Sequence, residues 1–403
     1  MCIRYLVFLR GTPGSGKSTF VRENSLESYT ISSDTVRLLL KPPVLSLTGR
    51  PIISQKINRR VWGLIYSLIK SRMEDGEFTI LDATNAGNAD IAKYRKIVRN
   101  YRYKAFCVDF SDVPVELAKE RNLKRAAYEI VPENVIEEMY SIIKAQSVPS
   151  YVTVIKPSEF HEKLQYKIVN LSSYRKIHHI GNINGNYKDL MKYFTCGLND
   201  KDFYIFTGDY TGEENESFEV LKFLISITCK DNVFLLEGDK EKCFSHLATD
   251  EDQTQISDFI DNLKALSTMK EVDTSKNSIL TKNCILKLYQ KMEPCIYYKF
   301  KDMYVLVTHG GLSNLPENLI YLGDEEMIKG TGDPEDTFLV AVNFNKNTNE
   351  NTYQIHSHRN PENLPIRYGR TFNLCAESER MHSLRILTLD KEGFCSQEIN
   401  KSE

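Results

Sequence analysis

The residues with the plainest chemistry are Gly11-Thr12-Pro13-Gly14-Ser15-Gly16-Lys17-Ser18, which follow the apolar run Tyr5 to Leu9 and open a segment of helical character. A strand that feeds a glycine-rich turn directs successive backbone N–H groups inward, and the helix behind it adds partial positive charge. Lys17 reaches the outer phosphates of a triphosphate, and Ser18 is placed to hold Mg²⁺. Gly11, Thr12, Gly14, Ser15, Gly16, Lys17, Ser18 and Thr19 therefore form the expected cradle for ATP and Mg²⁺. The alternative is a loop that kept this shape and lost its ligand.

Three further groups carry chemistry in the same part of the chain. Ser33 and Asp34 follow the run Tyr29 to Ser32, and Asp34 stands three residues before Arg37. Both suit a helix N-cap, where a side-chain oxygen accepts from a free N–H. Asp34 also suits a general base for a substrate hydroxyl, with Arg37 gripping a neighbouring phosphate of the acceptor, and the two roles are compatible. Asp82 follows the run Phe78 to Leu81, where a carboxylate either caps the next turn or orients Mg²⁺-bound water or an arginine. Arg121 and Arg125 lie four apart on a predicted helix, so they either close over a triphosphate or belong to an exposed basic face with Lys119 and Lys124.

Such groups need a scaffold that brings them together. Leu6 to Leu9, Tyr29 to Ser32, Phe78 to Leu81 and Ala105 to Phe110 read as strands. Helical patterning separates them over Lys56 to Arg72, Asn88 to Tyr101, Val115 to Ala127 and Pro132 to Ala145. This rhythm predicts an α/β domain with a parallel sheet covered on both faces, and its chemistry belongs at the C-terminal strand ends.

The whole chain sets bounds on the rest. Its 403 residues imply two domains of ordinary size. A net charge of −2 excludes a global basic field, so any nucleic-acid site is local. Nine cysteines without a C-x-x-C pair argue for a reducing compartment, read as the cytoplasm. The apolar start is too brief for a membrane span and has no cleavage-like site, so no membrane association is expected.

Taken together, the glycine loop, Ser33-Asp34 with Arg37, Asp82-Ala-Thr-Asn85, Arg121-Asn122 with Arg125, and Val131-Pro132 resemble the polynucleotide 5′-kinase family of phage and bacterial nucleic-acid repair. The resemblance covers roughly residues 1 to 150. It implies that Lys17 and Ser18 bind ATP and Mg²⁺, that Asp34 activates a 5′-hydroxyl, and that Arg37 holds the phosphate on the acceptor's 3′ side. It also implies that Arg125, helped by Arg121, contacts the donor phosphates, and that Asp82 supports the metal or the lid. The stretch Pro42 to Pro51 borders the acceptor opening or is an ordinary surface loop. The basic, tyrosine-rich run from Tyr94 to Lys104 reads as the outer face of a sheet-covering helix rather than a nucleic-acid track.

Between Pro149 and Pro157 the rhythm is lost, which places a boundary between about 150 and 170 and divides the chain into domains at 1–160 and 170–403. Beyond it, Gly181-Asn182-Ile183-Asn184-Gly185, Gly208-Asp209, Gly238-Asp239-Lys240-Glu241, His309-Gly310-Gly311 and His356-Ser357-His358-Arg359 each lie at or near an apolar strand candidate. Converging strand ends that bear Asp and His are how a sandwich assembles a binuclear metal site. This order resembles the calcineurin-type metallophosphoesterases over about 175 to 375, with an α/β sandwich implied. The family's Gly-Asp-x-His-Gly reads here with asparagine at 182 and 184. The aspartate and arginine expected after Asp209 are Gly212 and Glu213, and Lys240 replaces a histidine. Asp209, Asp239, His309 and one of His356 or His358 remain, enough for a single ion such as Mn²⁺. The second position has lost two ligands, so little or no phosphatase activity is expected.

These expectations amount to an ATP-dependent polynucleotide 5′-hydroxyl kinase joined to a degenerate phosphatase-like domain. The resemblance implies a nucleic-acid partner with a 5′-hydroxyl end, RNA (tRNA in particular) before DNA, an RNA ligase as repair partner, and scope for a homo-oligomer. The alternatives are a bifunctional kinase with an active single-metal 3′-end phosphatase, a small-molecule kinase and a non-catalytic nucleotide-regulated module. The strand Arg367 to Ser378 is expected to be structural, His178 and His179 to be strand residues, and Asn345 to Asn351 to be a hairpin tip.

Overall fold

A computed structural model describes residues 3–47, 49–212, 216–244, 282–361, 365–378 and 381–399. The chain divides after Tyr166 into a front unit and a back unit. In the front unit, β1 (Tyr5–Arg10), β2 (Thr30–Ser32), β5 (Thr79–Asp82), β6 (Lys104–Asp109) and β7 (Val152–Ile155) form one parallel sheet in the order β2-β5-β1-β6-β7. The omitted numbers are a short antiparallel hairpin outside this sheet, β3 (Val44–Leu45) and β4 (Pro51–Ile52). The stretch Pro42 to Pro51 thus forms most of a hairpin.

β1 is buried over its whole length because it is the central strand of a sheet covered on both faces. Leu6 and Phe8 pack with Val61, Ile65 and Ile69 of α3 (Asn58–Glu74) and with Tyr94, Ile97 and Tyr101. On the other face Phe20 meets Phe110 and Phe160 edge-on. The helices α1 (Lys17–Glu23) and α2 (Ser33–Leu40) leave the ends of β1 and β2. The expected helix over 88–101 is two, α4 (Asn88–Ala92) and α5 (Arg95–Asn100), with Tyr94 buried in the core between them. Tyr101 and Tyr103 are buried as well, so the tyrosines of that run serve packing. Two more helices, α6 (Val115–Asn122) and α7 (Glu133–Ala145), complete the layer, and α8 (Phe160–Leu164) follows β7. The Pro149 to Pro157 stretch, read as a loss of rhythm, contains β7, an edge strand whose apolar run is broken by exposed Thr153.

The back unit is a sandwich. One sheet runs β12-β11-β10-β9-β20-β21 and the other β16-β17-β15-β14-β13-β8. The first is formed by β9 (Ile177–Ile180), β10 (Phe203–Phe206), β11 (Val233–Leu236), β12 (Met292–Glu293), β20 (Leu384–Asp390) and β21 (Gly393–Ile399). The second contains β8 (Val169–Asn170), β13 (Cys295–Phe300), β14 (Met303–Thr308), β15 (Thr352–His356), β16 (Arg367–Tyr368) and β17 (Thr371–Asn373). A two-strand ladder, β18 (Glu377–Ser378) and β19 (Met381–His382), lies apart.

Period-two alternation in β10 serves two cores. Phe203 and Ile205 face the opposite sheet with Ile296, Val307 and Ile355, while Tyr204 and Phe206 face helices with Leu221 and Leu224 of α10 (Ser217–Ile227). The intervening α9 (Tyr187–Tyr193) adds Leu190 to that layer. His178 and His179 are strand residues of β9. His179 lies inside the sandwich, 2.8 Å from the Tyr298 hydroxyl, and burial pushes its imidazole down to about 3. Asn345 to Asn347 close the helix Thr337–Asn347, and a turn from Thr348 leads into β15, so this stretch is no hairpin tip: β14 and β15 run parallel.

The helix layer over β10 gives a direct check. Leu224→Ala removes a fully buried side chain from α10 and is expected to destabilise the back unit by about 2–5 kcal/mol in denaturant unfolding. A loss below about 1 kcal/mol would contradict the packing described.

Candidate functional site

In the front unit, the parallel register sets Leu9 beside Asp82 and Ser32 beside Asp82, so three strand ends lie abreast. The glycine loop leaves β1 there. Gly14 and Gly16 have φ of 79° and 102°, conformations that suit glycine, and a side chain at Gly14 would come within 2.1 Å of the Ala118 carbonyl. Lys17 Nζ donates to the Gly11 and Thr12 carbonyls at 2.7 and 2.9 Å. Burial lowers its pKa, and Asp82 opposes that shift. Ser18 Oγ donates to Asp82 Oδ2 at 3.0 Å. A hydroxyl and a carboxylate so joined are hard oxygen donors that fit Mg²⁺, and Asp82 closes its strand rather than capping a helix.

The cap of α2 is Ser32, whose Oγ accepts from Thr35 N–H, so neither Ser33 nor Asp34 serves as the cap. Asp34 instead lies between two guanidinium groups. Its Oδ1 is 3.4 Å from Arg37 Nη1, and its Oδ2 is 3.5 Å from Arg125 Nη2. Arg37 is buried and anchored by Asn58, whose Oδ1 accepts from Nη2 at 3.0 Å.

Arg121 and Arg125 do not share one helix face as expected. α6 ends at Asn122, where the buried side chain donates to the Val131 carbonyl at 2.8 Å and accepts from Val131 N–H at 3.1 Å. This two-way clasp closes the segment between them into a loop. Arg121 stays on α6 with Nη1 3.8 Å from where a side chain on Gly16 would begin. Arg125 sits in the loop and donates to the Glu129 carbonyl at 2.7 Å. Lys17, Ser18, Asp34, Arg37, Asp82, Arg121 and Arg125 all line one cleft.

Sequence reasoning gave no role to Arg10 and Asn85. Buried Arg10 donates to the Ile143 and Gln146 carbonyls at the end of α7 at 2.8 and 2.6 Å. Asn85 (φ 45°) donates to Leu9 O at 2.7 Å, fastening the end of β1. The only signal for either was its place beside a motif.

In the back unit, ligand atoms of Asp209, His309 and His358 lie within 4.8 Å of one another. His309 Nδ1 is engaged by Thr207 O at 2.7 Å, which leaves Nε2 free for a ligand role, 3.4 Å from Asp209 Oδ1. His309 Nε2, His358 Nδ1 and Asn182 Oδ1 are buried with no hydrogen-bond partner. Burial opposes charge on Asp209, yet His309 and Lys240 hold its carboxyl below the usual range. Burial lowers His358 to about 4, so its ring is neutral near pH 7. One carboxylate and two imidazoles fit a single ion of the Mn, Zn or Fe kind.

Asp239 and His356 stand outside that cluster. Asp239 is exposed and begins the turn Lys240–Lys242. His356 is buried against Gly311, where a side chain would come within 3.1 Å of its ring. Around Asp209, Lys240 Nζ donates to Asn184 Oδ1 at 2.7 Å and Asn182 Nδ2 to Asp209 Oδ2 at 3.3 Å. Two amides and an ammonium do not fit a second divalent cation. Gly212 touches Asn184, for a side chain there would lie 2.6 Å from the Asn184 carbonyl, and Glu213 lies outside the described residues.

Glu241, quoted in its motif without a role, positions Asp209. Its carboxylate accepts from the N–H groups of Asp209, Tyr210 and Gly238 at 2.8, 2.9 and 3.0 Å. Burial and neighbouring Asp209 push it up to about 7. Glu241→Gln turns one acceptor into a donor against these N–H groups and is expected to weaken Mn²⁺ binding about 10–100-fold, by calorimetry with Asp209→Ala as the blank. Unchanged affinity would remove Glu241 from the site.

Residues 6–145 match the family described as an AAA domain, and residues 175–382 match the calcineurin-like phosphoesterase family. Among solved structures, a serine/threonine protein phosphatase from Saccharomyces cerevisiae is 13% identical with a TM-score of 0.40, covering 68% of this chain and 97% of that one. A putative diadenosine tetraphosphatase is 15% identical with a TM-score of 0.38, covering 59% and 98%. No helix among the described residues is long and apolar enough to cross a membrane. With Asp209, His309 and His358 gathered at its strand ends and a P-loop kinase-like domain in front, the chain belongs to the calcineurin-like phosphoesterase family.

Proposed function

We propose that the front unit is an ATP-dependent polynucleotide 5′-hydroxyl kinase and that the back unit is a phosphoesterase-like domain with little hydrolytic activity. One observation carries the first part: Asp34 lies between Arg37 and Arg125 in the cleft that also holds Lys17, Ser18 and Asp82. The acceptor hydroxyl oxygen forms its bond to the γ-phosphorus as the bond to the β–γ bridging oxygen breaks. Its proton passes to an Asp34 carboxylate oxygen, and ADP leaves. Lys17 and the loop N–H groups bind the triphosphate, while Arg37, fixed by Asn58, orients the acceptor through its first phosphate. Ser18 and Asp82 would hold Mg²⁺, which neutralises charge on the phosphoryl oxygens when bound.

A small-molecule kinase shares the cradle but has no use for a buried, anchored guanidinium one helical turn beyond its general base. RNA as acceptor and a ligase as repair partner belong to this proposal through the resemblance to polynucleotide kinases, a cytoplasmic location through the cysteine usage, and a homo-oligomer as a role for the silent back unit. Low hydrolytic activity in the back unit is supported by Lys240 and two asparagines at the place of a second ion's ligands.

Transfer of label from γ-labelled ATP to matched 5′-hydroxyl RNA and DNA oligonucleotides tests the first part. Lys17→Ala and Asp34→Ala are each expected to reduce kcat by about 10²–10⁴-fold. Absence of product from the wild type would end the kinase proposal. For the back unit, oligonucleotides with 3′-phosphate or 2′,3′-cyclic phosphate ends in added Mn²⁺ are expected to release little or no phosphate, and brisk release would contradict the ligand set.

A further inference from the structure

The proposed acceptor carboxylate begins a row. Asp34, Arg37, Leu38 and Lys41 are spaced i, i+3, i+4 and i+7 along α2 and its C-cap, and all four line the cleft. That spacing places them on one helix face, with Arg37 about 4–5 Å and Lys41 about 10 Å beyond Asp34 along the axis. The order is base, first cation, second cation. Beyond Lys41 comes the hairpin β3–β4, which lines the same cleft through Leu45, Leu47, Arg50 and Ile52. Its backbone continues into a contact with the arginine loop, where Ile53 N–H donates to the Tyr128 carbonyl at 3.2 Å.

Two properties of this rim call for an occupant. Leu45 and Leu47 are 76% and 109% exposed, an unusual state for leucines in a cleft wall. Lys41, Arg50 and Lys56 form no ion pair with a carboxylate among the described residues, in contrast to Arg37 and Arg125 deeper in. Free cations beside bare apolar side chains match a polymer with a charged backbone and flat apolar faces. They do not match a compact phosphorylated metabolite, which ends at Arg37. The only tryptophan of the chain, Trp62, lines the same cleft from α3, with Lys93 Nζ 4.0 Å from its ring centre.

We infer that Lys41 holds the second phosphate of the acceptor strand, which runs from Asp34 along α2, and that Leu45 and Leu47 of the hairpin carry its following bases. This rests on the kinase proposal for its polarity. The hairpin is therefore a length-reading element of the acceptor site, with Arg50 and Lys56 flanking the exit of the strand.

The test is direct binding by the full chain, read by Trp62 fluorescence and by anisotropy of 3′-labelled oligonucleotides, alongside label transfer. A 5′-hydroxyl RNA of about eight nucleotides is expected to bind at least ten-fold more tightly than a nucleoside 3′-monophosphate and to quench Trp62. Lys41→Ala is expected to weaken the long acceptor about five-fold and to flatten its log Kd against log salt by about 0.7, the share of one phosphate contact on a single strand. Lys41→Arg should restore both. Leu45→Ser with Leu47→Ser should narrow the gap between long and short acceptors without changing the salt slope.

Equal affinity for the monophosphate and the long strand would overturn the inference, as would a Lys41→Ala salt slope equal to wild type. A change of oligomeric state in the leucine variant, with nucleic-acid binding intact, would assign the hairpin to a protein contact and overturn it too. If binding follows Lys41 but no label is transferred, the kinase proposal fails alone. If label is transferred but binding ignores Lys41 and length, the inference fails alone.

Discussion

The front unit depends on the parallel register of three strands. Leu9, Ser32 and Asp82 stand abreast at the C-terminal edge of the sheet, and the glycine loop, Asp34 and the Asp82 carboxylate all begin within two residues of that line. A slip of one residue in β5 would turn Asp82 to the opposite face and break its contact with Ser18. The edge is fixed from several directions. Gly11 N–H donates to Thr84 O at 3.1 Å and Asn85 Nδ2 to Leu9 O at 2.7 Å, which stitches the end of β1 to the turn after β5. Arg10 reaches the last carbonyls of α7, where a cation is favoured by the helix dipole as well as by hydrogen bonding. Charged groups converge here because uncharged backbone holds them in place.

The back unit solves the same problem with a strained residue. Asp209 adopts φ 52°, a conformation that costs a non-glycine residue about 1 kcal/mol or more, directly after Gly208 at φ 103°. The strain is offset by Glu241, which gathers three backbone N–H groups around the turn and leaves the Asp209 carboxylate facing His309. A buried carboxylate surrounded by backbone donors is a structural device before it is a chemical one. It accounts for a glutamate that stands in a motif where Lys240 takes the place of a histidine.

Strands were legible where they formed continuous apolar runs beside a motif. The four strands read in the front unit appear as β1, β2, β5 and β6, and the apolar candidates before Gly181, Gly208, Gly238 and His309 appear as β9, β10, β11 and β14. What escaped was local. β7 lies between two prolines, and its apolar run is broken by exposed Thr153. The end of α6 was invisible because a tertiary clasp between Asn122 and Val131 sets it, against a sequence of good helix formers from Glu120 to Arg125. Asp34 and Ser33 matched the cap signature, yet Ser32, one residue earlier, takes that role and leaves the carboxylate for the cleft. Of the two histidines left open, His358 is the one gathered with Asp209 and His309, and Asp239 is not among the three. Residue types and spacing name the chemistry, whereas ligand counts depend on which way a side chain turns.

The substitutions around Asp209 are coupled rather than independent losses. Lys240 places a positive charge 2.7 Å from Asn184 Oδ1, and its backbone N–H donates to Asp209 Oδ1 at 3.2 Å. A divalent cation brought there would meet that ammonium at short range, where at an effective dielectric of about 20 the repulsion amounts to several kcal/mol. Restoring single ligands does not undo this. An aspartate at 212 would drive its side chain into the Asn184 carbonyl, 2.6 Å away, so the loop must move before the carboxylate can point inward. Asparagine in place of aspartate at 182 has itself become a donor to Asp209, a contact that a second carboxylate would turn into repulsion. Lys240 is thus tied to Asn184 and Asn182 to Asp209, while Asn182 Oδ1, His309 Nε2 and His358 Nδ1 are buried and without a partner. Two imidazoles beside Asp209, against two amides and an ammonium, are the physical ground for proposing one ion position as retained and the other as replaced by protein charge.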